Sequence, residues 1–155
     1  MFVIPPQFEF AESFSEGLAR VTLPGKQGTG FIDPSGKCVL RLSQGAERFV
    51  EGVAASCTLI SRLSAFEPRC GFIDKTGRFV IPPQRGRAMA FSDGLALFQN
   101  DDYSWFYIDH SGKTVLTIPL GSRAWPFVDG LTLLQSPQGS VYVDKTGKVL
   151  AAYQQ

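Results

Sequence analysis

The sequence has little of the chemistry on which many enzymes and nucleic-acid-binding proteins depend. Its 155 residues include a single histidine and no apolar run that approaches the ~18 residues of a transmembrane helix. Lys and Arg together number 15 and Asp and Glu 14, for a net charge of +1. A protein that binds nucleic acid electrostatically carries a basic excess, which this chain lacks. We therefore expect no nucleic-acid partner and no membrane partner.

Cysteine is scarce and is not arranged for metal binding. The three cysteines, Cys38, Cys57 and Cys70, contain no C-x-x-C pair, and one histidine cannot complete a zinc site. The N-terminal residues lack the basic start and apolar core of a secretory signal, so we expect a cytoplasmic protein. Cys57 and Cys70 bracket an inserted loop and are placed to face each other, but a cytoplasmic setting favours reduced thiols over a disulfide.

The chain does contain a folded domain with internal repeats. Hydrophobic residues make up 44% and charged residues 19%, which excludes a disordered chain. One motif, Phe-x-acid-Gly-Leu/Val, starts at Phe14, Phe49, Phe91 and Phe127. A second, aromatic-Ile/Val-Asp-x-x-Gly-basic, alternates with the first and is marked by Asp33, Asp74, Asp109 and Asp144. This alternation indicates four structural repeats.

Both motifs predict tight turns between short strands. Asp at the start of a turn accepts backbone N–H bonds, and Gly takes the left-handed conformation that closes it. No segment shows a long helical period, so we predict an all-β protein of four tandem antiparallel meander repeats, with about three strands each. The repeats span approximately 8–42, 43–84, 85–119 and 120–155. Residues 1–7 form the tail of a partial repeat, because Phe2–Gln7 recurs letter for letter as Phe79–Gln84.

Strand periodicity predicts three columns of core residues, one position from each column per repeat. The columns are Ile32, Ile73, Ile108 and Val143; Phe31, Phe72, Tyr107 and Tyr142; and Phe14, Phe49, Phe91 and Phe127. A single repeat cannot bury these side chains alone, so the repeats must stack.

The repeat pattern resembles the WG-repeat family of bacterial repeats, whose units read roughly Phe-x-Glu-Gly-Leu-Ala-x-Val and then Trp-Gly-Tyr-Ile-Asp-x-x-Gly-Lys-x-Val-Ile-Pro-Pro. Gly17–Val21 and Phe79–Gln84 match these units closely. The repeats are degenerate, because the Trp positions hold Thr29, Cys70, Trp105 and Ser140. The resemblance implies a repeat β architecture and association with other bacterial modules, and it implies no catalytic residue.

Two arrangements are compatible with the number and the spacing of the four repeats. The repeats can stack as an open β-solenoid-like array, or they can close as a small four-bladed β-propeller. The variable repeat number of the resembled family favours the open array. The propeller remains the alternative, and the oligomeric state is open.

No residues suggest catalysis, a cofactor or a metal ion. His110 occupies a turn position and is interpreted as an exposed turn residue. The repeated acids each stand alone beside a turn glycine, without the clustered oxygen ligands that calcium requires. The Gly25–Gly30 segment lacks the Gly-Lys-Ser/Thr ending of a phosphate-binding loop. We therefore predict a protein that is not an enzyme and has no cofactor.

The second and third repeats depart most from the common pattern. The second carries about six extra residues between Cys57 and Cys70, in a short helical turn or a long hairpin tip. The third has a polar and aromatic tip around Tyr103, and Trp125 is a further aromatic candidate for exposure. Equivalent tips should project from the same edge of the array. The predicted partner-binding surface comprises Leu63, Phe66, Asp101, Asp102, Tyr103 and Trp105.

These observations predict a non-catalytic binding module. Repeat scaffolds work by presenting an extended surface, so the expected partner is another protein and the expected role is that of a bacterial protein–protein interaction scaffold. The alternative is a carbohydrate- or cell-wall-binding module, since exposed aromatic rings also stack on sugars. We do not expect a small-molecule ligand.

Overall fold

A computed structural model describes residues 4–5, 7–62 and 65–153. The described residues form sixteen strands and a short 3-10 turn at Pro24–Lys26, and they contain no helix long and apolar enough to cross a membrane. The first sheet contains β1 (Phe10–Ala11), β2 (Ala19–Thr22), β3 (Thr29–Ile32) and β4 (Cys38–Leu42), and the second contains β5 (Gly45–Ala46), β6 (Ala54–Arg62), β7 (Ala65–Ile73) and β8 (Phe79–Arg85). The third contains β9 (Arg87–Ser92), β10 (Leu95–Gln99), β11 (Trp105–Ile108) and β12 (Thr114–Thr117), and the fourth β13 (Arg123–Ala124), β14 (Leu131–Ser136), β15 (Gly139–Asp144) and β16 (Val149–Tyr153).

Each sheet is an antiparallel meander in which consecutive strands pair, and none of the four closes on itself. The predicted all-β fold of four tandem meander repeats is confirmed. The prediction of about three strands per repeat is wrong, because each sheet has a fourth strand, which comes before the Phe-x-acid-Gly motif or, in the third sheet, extends into it. In three of the sheets this strand is only two residues long. Two residues are too few to show strand alternation in a sequence.

The Phe-x-acid-Gly motif forms a two-residue hairpin turn and also joins successive repeats. In the first repeat Glu16 and Gly17 have φ values of 51° and 81°, the combination of a type I′ turn. The Glu16 carboxylate accepts a 3.1 Å hydrogen bond from the backbone N–H of Gly52 in the next repeat. Glu51 accepts from Gly94 and Asp93 from Gly130 in the same way. These acids thus link repeats in addition to shaping turns.

The second motif behaves as turn chemistry predicts. One oxygen of Asp74 accepts bonds from the backbone N–H and hydroxyl of Thr76 at 2.8 and 2.6 Å, and from Arg78 N–H at 3.2 Å. The hydroxyl bond is the main cause of a pKa below the ordinary aspartate value. The turns that begin at Asp33, Asp109 and Asp144 repeat this pattern.

An aromatic pair lies at each contact between successive sheets. The ring of the second motif packs against the Phe of the next repeat, with ring centroids 4.8 Å apart in all three pairs: Phe31 with Phe49, Phe72 with Phe91, and Tyr107 with Phe127. The isoleucine column faces the opposite side of each sheet and is also buried. The predicted core is therefore correct at ten of its twelve positions.

The two exceptions lie at opposite ends of the array. Phe14 is 45% exposed and Tyr142 is 49% exposed, whereas the other members of their columns are at most 2% exposed. Phe14 belongs to the first sheet and Tyr142 to the last, so among the described residues no adjacent sheet covers them. The prediction fails at Phe14 and Tyr142 because a side chain in these two columns is buried only where a neighbouring repeat packs against it.

The inserted segment of the second repeat is a long hairpin of β6 and β7. Its register places Cys57 directly opposite Cys70, and the two form a disulfide. The expectation of reduced thiols is therefore wrong. Of the two structures expected for the inserted segment, the long hairpin is correct and the helical turn is not. Spacing in the sequence brackets the loop but does not show strand register, which decides whether the two side chains meet.

Replacement of a core residue tests the face assignment. Ile108 is fully buried, so Ile108→Asp should lower the free energy of unfolding by more than about 3 kcal/mol, because it removes apolar burial and introduces an unpaired charge. Val115 on the adjacent strand is 45% exposed, so Val115→Asp should cost about 1 kcal/mol or less. Urea titrations followed by circular dichroism measure both. Equal losses would contradict the assignment.

The disulfide closes a loop with a sequence separation of 13 residues. A loop of this size predicts a loss of about 3 kcal/mol in unfolding free energy when Cys57→Ser and Cys70→Ser are combined. A reducing agent should lower the wild type to the level of the double variant and leave that variant unchanged. Cys38→Ser is the control and should retain the wild-type response to reduction, since Cys38 is the free cysteine.

Candidate binding surface

The β6–β7 hairpin and the turn between β10 and β11 come together around Arg85. The tip of the β6–β7 hairpin and the tip between β10 and β11 both connect the second and third strands of their sheets. Arg85 lies between them, with its guanidinium nitrogens 3.4 Å from a carboxylate oxygen of Glu67 and 4.0 Å from one of Asp101. The two departures from the repeat pattern therefore meet around one arginine.

A groove of about 430 Å³ opens beside this arginine. Its lining comes from both repeats and is mostly polar: Glu67, Pro68, Gly86, Arg87, Gln99, Asn100, Asp101 and Tyr103. Asp101 and Tyr103 belong to the predicted partner-binding surface. We call the groove and its lining the tip groove.

The other predicted residues have different placements. The Asp102 carboxylate accepts bonds from the Ser104 hydroxyl at 2.6 Å and backbone N–H at 3.0 Å, which lower its pKa. Trp105 is half-buried and packs against the core cluster that contains Tyr107. Leu63 and the side chain of Phe66 lie outside the described residues. The role of these four residues in partner binding stays a prediction.

Tyr103 is the most prominent aromatic side chain of the tip groove. It is 77% exposed, and its backbone has a φ of 64°, which is uncommon for a bulky residue. Two backbone bonds of 3.0 Å, from Tyr103 to Asn100 and from Asn100 to Ser104, hold this conformation. Strained exposed residues of this kind concentrate at functional sites.

A second groove, of about 680 Å³, runs across the first strands of the first three sheets. It is lined by Ala11, Glu12, Ser13, Glu47, Arg48, Ala88, Met89 and Ala90. Arg20 lies close by, bonded to the Glu12 carboxylate and to the backbone carbonyl of Ala46. The bond from Arg20 lowers the pKa of Glu12, which keeps one wall of the groove anionic.

Sequence reasoning missed this second groove, although the repeats contain a signal for it. Each repeat has the pattern Ala-x-x-Phe, in which alanine and phenylalanine are constant and no two intervening pairs are the same: Glu12-Ser13, Glu47-Arg48, Met89-Ala90 and Trp125-Pro126. The constant phenylalanine is buried in the second, third and fourth repeats, whereas the variable pairs of the first three repeats line the groove. Trp125, at 40% exposed, occupies the same position in the fourth repeat.

His110 does more than occupy an exposed turn. Its imidazole stacks on Phe91 with ring centroids 3.9 Å apart, and its Nε2 lies 2.9 Å from a Glu51 oxygen. Lys75 and Lys145 hold the same turn position in the neighbouring repeats and pair with Glu16 and Asp93. His110 is therefore a contact between repeats. Among the described residues, no three His, Cys, Asp or Glu side chains are grouped to hold a metal ion.

Comparison with known proteins supports the repeat assignment. The family model described as WG containing repeat matches residues 1–26 and 71–103. The structure is similar to that of BamB from Moraxella catarrhalis, a β-propeller, with a TM-score of 0.53 at 9% sequence identity. The match covers 94% of this chain and 49% of BamB, so the chain spans about half the length of that protein. No curated protein matches the chain.

The contact made by His110 predicts a measurable loss of stability when the histidine is replaced. His110→Ala removes a ring stack and a partly exposed pair, so we expect a loss of about 1 kcal/mol in unfolding free energy. His110→Lys should recover part of it, since lysine makes this pair in two other repeats. Urea titrations at neutral pH compare the three proteins. Identical stability of the alanine variant and wild type would restore the interpretation of His110 as a simple turn residue.

The same contact predicts a dependence on pH. Burial acts to raise the pKa of Glu51, but bonds from His110 and Gly94 outweigh it and leave the pKa below its ordinary value of 4.5. The stabilisation is then present above pH 4.5 and is lost as the pH falls through the lowered pKa. Glu51→Gln should therefore show a smaller loss of stability on acidification than the wild type.

Proposed function

We propose that this chain, whose repeats are similar to the WG containing repeat, is a non-catalytic binding module whose partner is another protein. The observation that carries the proposal is the tip groove, where the β6–β7 hairpin and the turn between β10 and β11 of the next repeat meet around Arg85. Elsewhere the repeats hold nearly constant turns and core residues. A repeat scaffold with local departures at one edge is suited to present a specific surface.

The chemistry of the tip groove supports a protein partner. It combines an exposed tyrosine with two arginines and two acids within one open surface. Tyrosine and arginine are enriched among the residues that dominate protein–protein affinity, and a polar rim of mixed charge favours orientation. Small-molecule sites are enclosed and mostly apolar, which does not describe this groove.

The alternative, a carbohydrate- or cell-wall-binding module, is favoured by two observations. Trp125 is 40% exposed at the end of the row of variable pairs, where its ring is accessible for stacking. The Cys57–Cys70 disulfide is of a kind that persists in oxidising compartments rather than in the cytoplasm. The cytoplasmic location inferred from the N-terminal sequence thus stays a prediction.

Site-specific photo-crosslinking tests the proposal. A photoreactive phenylalanine at position 103 samples the tip groove, and one at position 89 samples the second groove. Position 120 is the control, because Leu120 is equally exposed at 77% but lies in neither groove. Cells that make the protein are irradiated, and covalent adducts are identified by mass spectrometry.

We expect a protein adduct from position 103 that is absent from position 120. Tyr103→Ala together with Arg87→Ala should weaken binding of the identified protein by at least about 10-fold, because central tyrosine and arginine contacts cost most on truncation. A protein adduct from position 89 alone would show that the second groove, and not the tip groove, is the binding surface. Absence of protein adducts, with retention on insoluble peptidoglycan that Trp125→Ala abolishes, would replace the proposal with the alternative.

A further inference from the structure

We propose that the Cys57–Cys70 disulfide is a redox switch for the tip groove, which is assembled while the disulfide is intact and is dismantled when a dithiol reduces it. The inference deepens the proposed function and rests on it only for the role of the tip groove in binding. It starts from the place of the disulfide in the β6–β7 hairpin.

The disulfide lies where the other three hairpins of this kind end. Cys57 and Cys70 pair in register, and the same register position in the other sheets holds the last or the last but one pair of the hairpin. These pairs are Thr22–Thr29, Gln99–Trp105 and Gln135–Ser140. Those three hairpins form without a disulfide, so the part of the meander that is common to all repeats does not require one.

The second sheet continues beyond the disulfide. Its hairpin has five further pairs, from Thr58 with Arg69 to Arg62 with Ala65. We call residues 58–62 and 65–69 the hairpin extension. The disulfide therefore closes the base of the one segment that the other sheets lack.

The hairpin extension has little support from neighbouring strands. The pairing of β5 with β6 reaches only to Cys57, and the pairing of β8 with β7 reaches only to Arg69. From Pro68 outward the extension is two-stranded, and Pro68 has no N–H to donate to the ladder. A two-stranded hairpin is marginally stable at best in water. The covalent bond at its base is thus a main restraint on the extension.

The hairpin extension also builds one wall of the tip groove. Glu67 and Pro68 line the groove, and the carbonyl of Pro68 accepts a 2.9 Å hydrogen bond from the N–H of Gly86. Gly86 has a φ of 114°, and a β-carbon there would lie 2.1 Å from the carbonyl oxygen of Gln99 at the end of β10. The extension, Gly86 and the end of β10 are therefore in direct contact, and an extension that opens takes this wall of the groove away.

The two sulfur atoms differ in access. Cys57 is partly exposed, whereas Cys70 is 1% exposed and belongs to a core cluster. A thiolate of the dithiol therefore bonds to the sulfur of Cys57, the bond between the two cysteines breaks, and Cys70 leaves and takes up a proton. The second thiol of the reductant displaces Cys57, which takes up the second proton. The protein gains two electrons and two protons, and the dithiol becomes a disulfide.

Thiol counting tests whether the switch operates in the folded protein. The protein is treated with dithiothreitol without denaturant and quenched in acid, and its thiols are then alkylated in denaturant and counted by mass spectrometry. We expect the count to rise from one to three, since Cys38 is the free cysteine of the three. Glutathione disulfide should return it to one. A disulfide that is reduced only after unfolding would overturn the proposal.

Amide hydrogen exchange followed by mass spectrometry tests the effect on the tip groove. Labelling times are chosen so that global unfolding is too rare to expose β2 or β14 in either form. On reduction, exchange in the hairpin extension and at Gly86 should accelerate at least about 10-fold, because the extension opens locally once its base is free. Unchanged exchange in the extension would overturn the proposal. So would an equal acceleration in β2 and β14, which would make the disulfide a purely structural link.

Cysteine variants separate the switch from other effects of the reductant. Cys57→Ser combined with Cys70→Ser should show the exchange pattern of the reduced protein under oxidising conditions. Cys38→Ser is the matched control and should respond to dithiothreitol as the wild type does. A double variant with the exchange pattern of the oxidised wild type would contradict the proposal.

Crosslinking distinguishes failure of the switch from failure of the proposed function. A photoreactive phenylalanine at position 103 is placed in the wild type and in the double variant, and both are irradiated in a non-reducing cell extract. We expect a protein adduct whose yield is at least about 10-fold lower for the double variant. Equal yields would overturn the switch and keep the binding role. Absence of adducts from both would contradict the proposed function alone, since the exchange measurement decides the switch.

Discussion

The contact between successive repeats is the interaction on which the structure depends. It consists of an aromatic ring that packs against a phenylalanine and against alanine and isoleucine side chains of the next repeat, and of a carboxylate that accepts a hydrogen bond from a backbone N–H of that repeat. Burial of each ring contributes about 1.5–3 kcal/mol, and none of it is available to a repeat on its own. The four sheets are hydrogen-bonded separately, so these contacts are what make them one unit.

This dependence divides each repeat into constrained and free positions. The turn glycines and the alanine and phenylalanine of Ala-x-x-Phe recur in all four repeats. At the three internal junctions this phenylalanine packs against the aromatic ring of the preceding repeat. The two side chains between alanine and phenylalanine in Ala-x-x-Phe form a different pair in every repeat. The same holds for the hairpin tips around Arg85. Candidate binding surfaces therefore lie where packing leaves the choice of side chain open.

The linking acids illustrate how a turn residue gains a second role. An acid at positive φ is less favourable than glycine, yet four repeats place Glu or Asp there. The carboxylate offsets this cost by bonding the next repeat in three of the four cases. Turn propensity alone would favour Asn, Asp or Gly at this position, which leaves Glu16 and Glu51 unexplained. The choice of glutamate becomes understandable when the adjacent sheet is considered.

The sequence alone determined the repeat number, the β class, both turn motifs and ten of twelve core positions, because these depend on local periodicity and turn chemistry. It could not show the short first strands, the register that joins Cys57 to Cys70, or the role of His110. Tertiary structure decided these, since each requires residues distant in the chain to be adjacent. Tertiary structure also decided the exposure of Phe14 and Tyr142. Their motifs match those of buried residues, and only the presence of a neighbouring sheet distinguishes them.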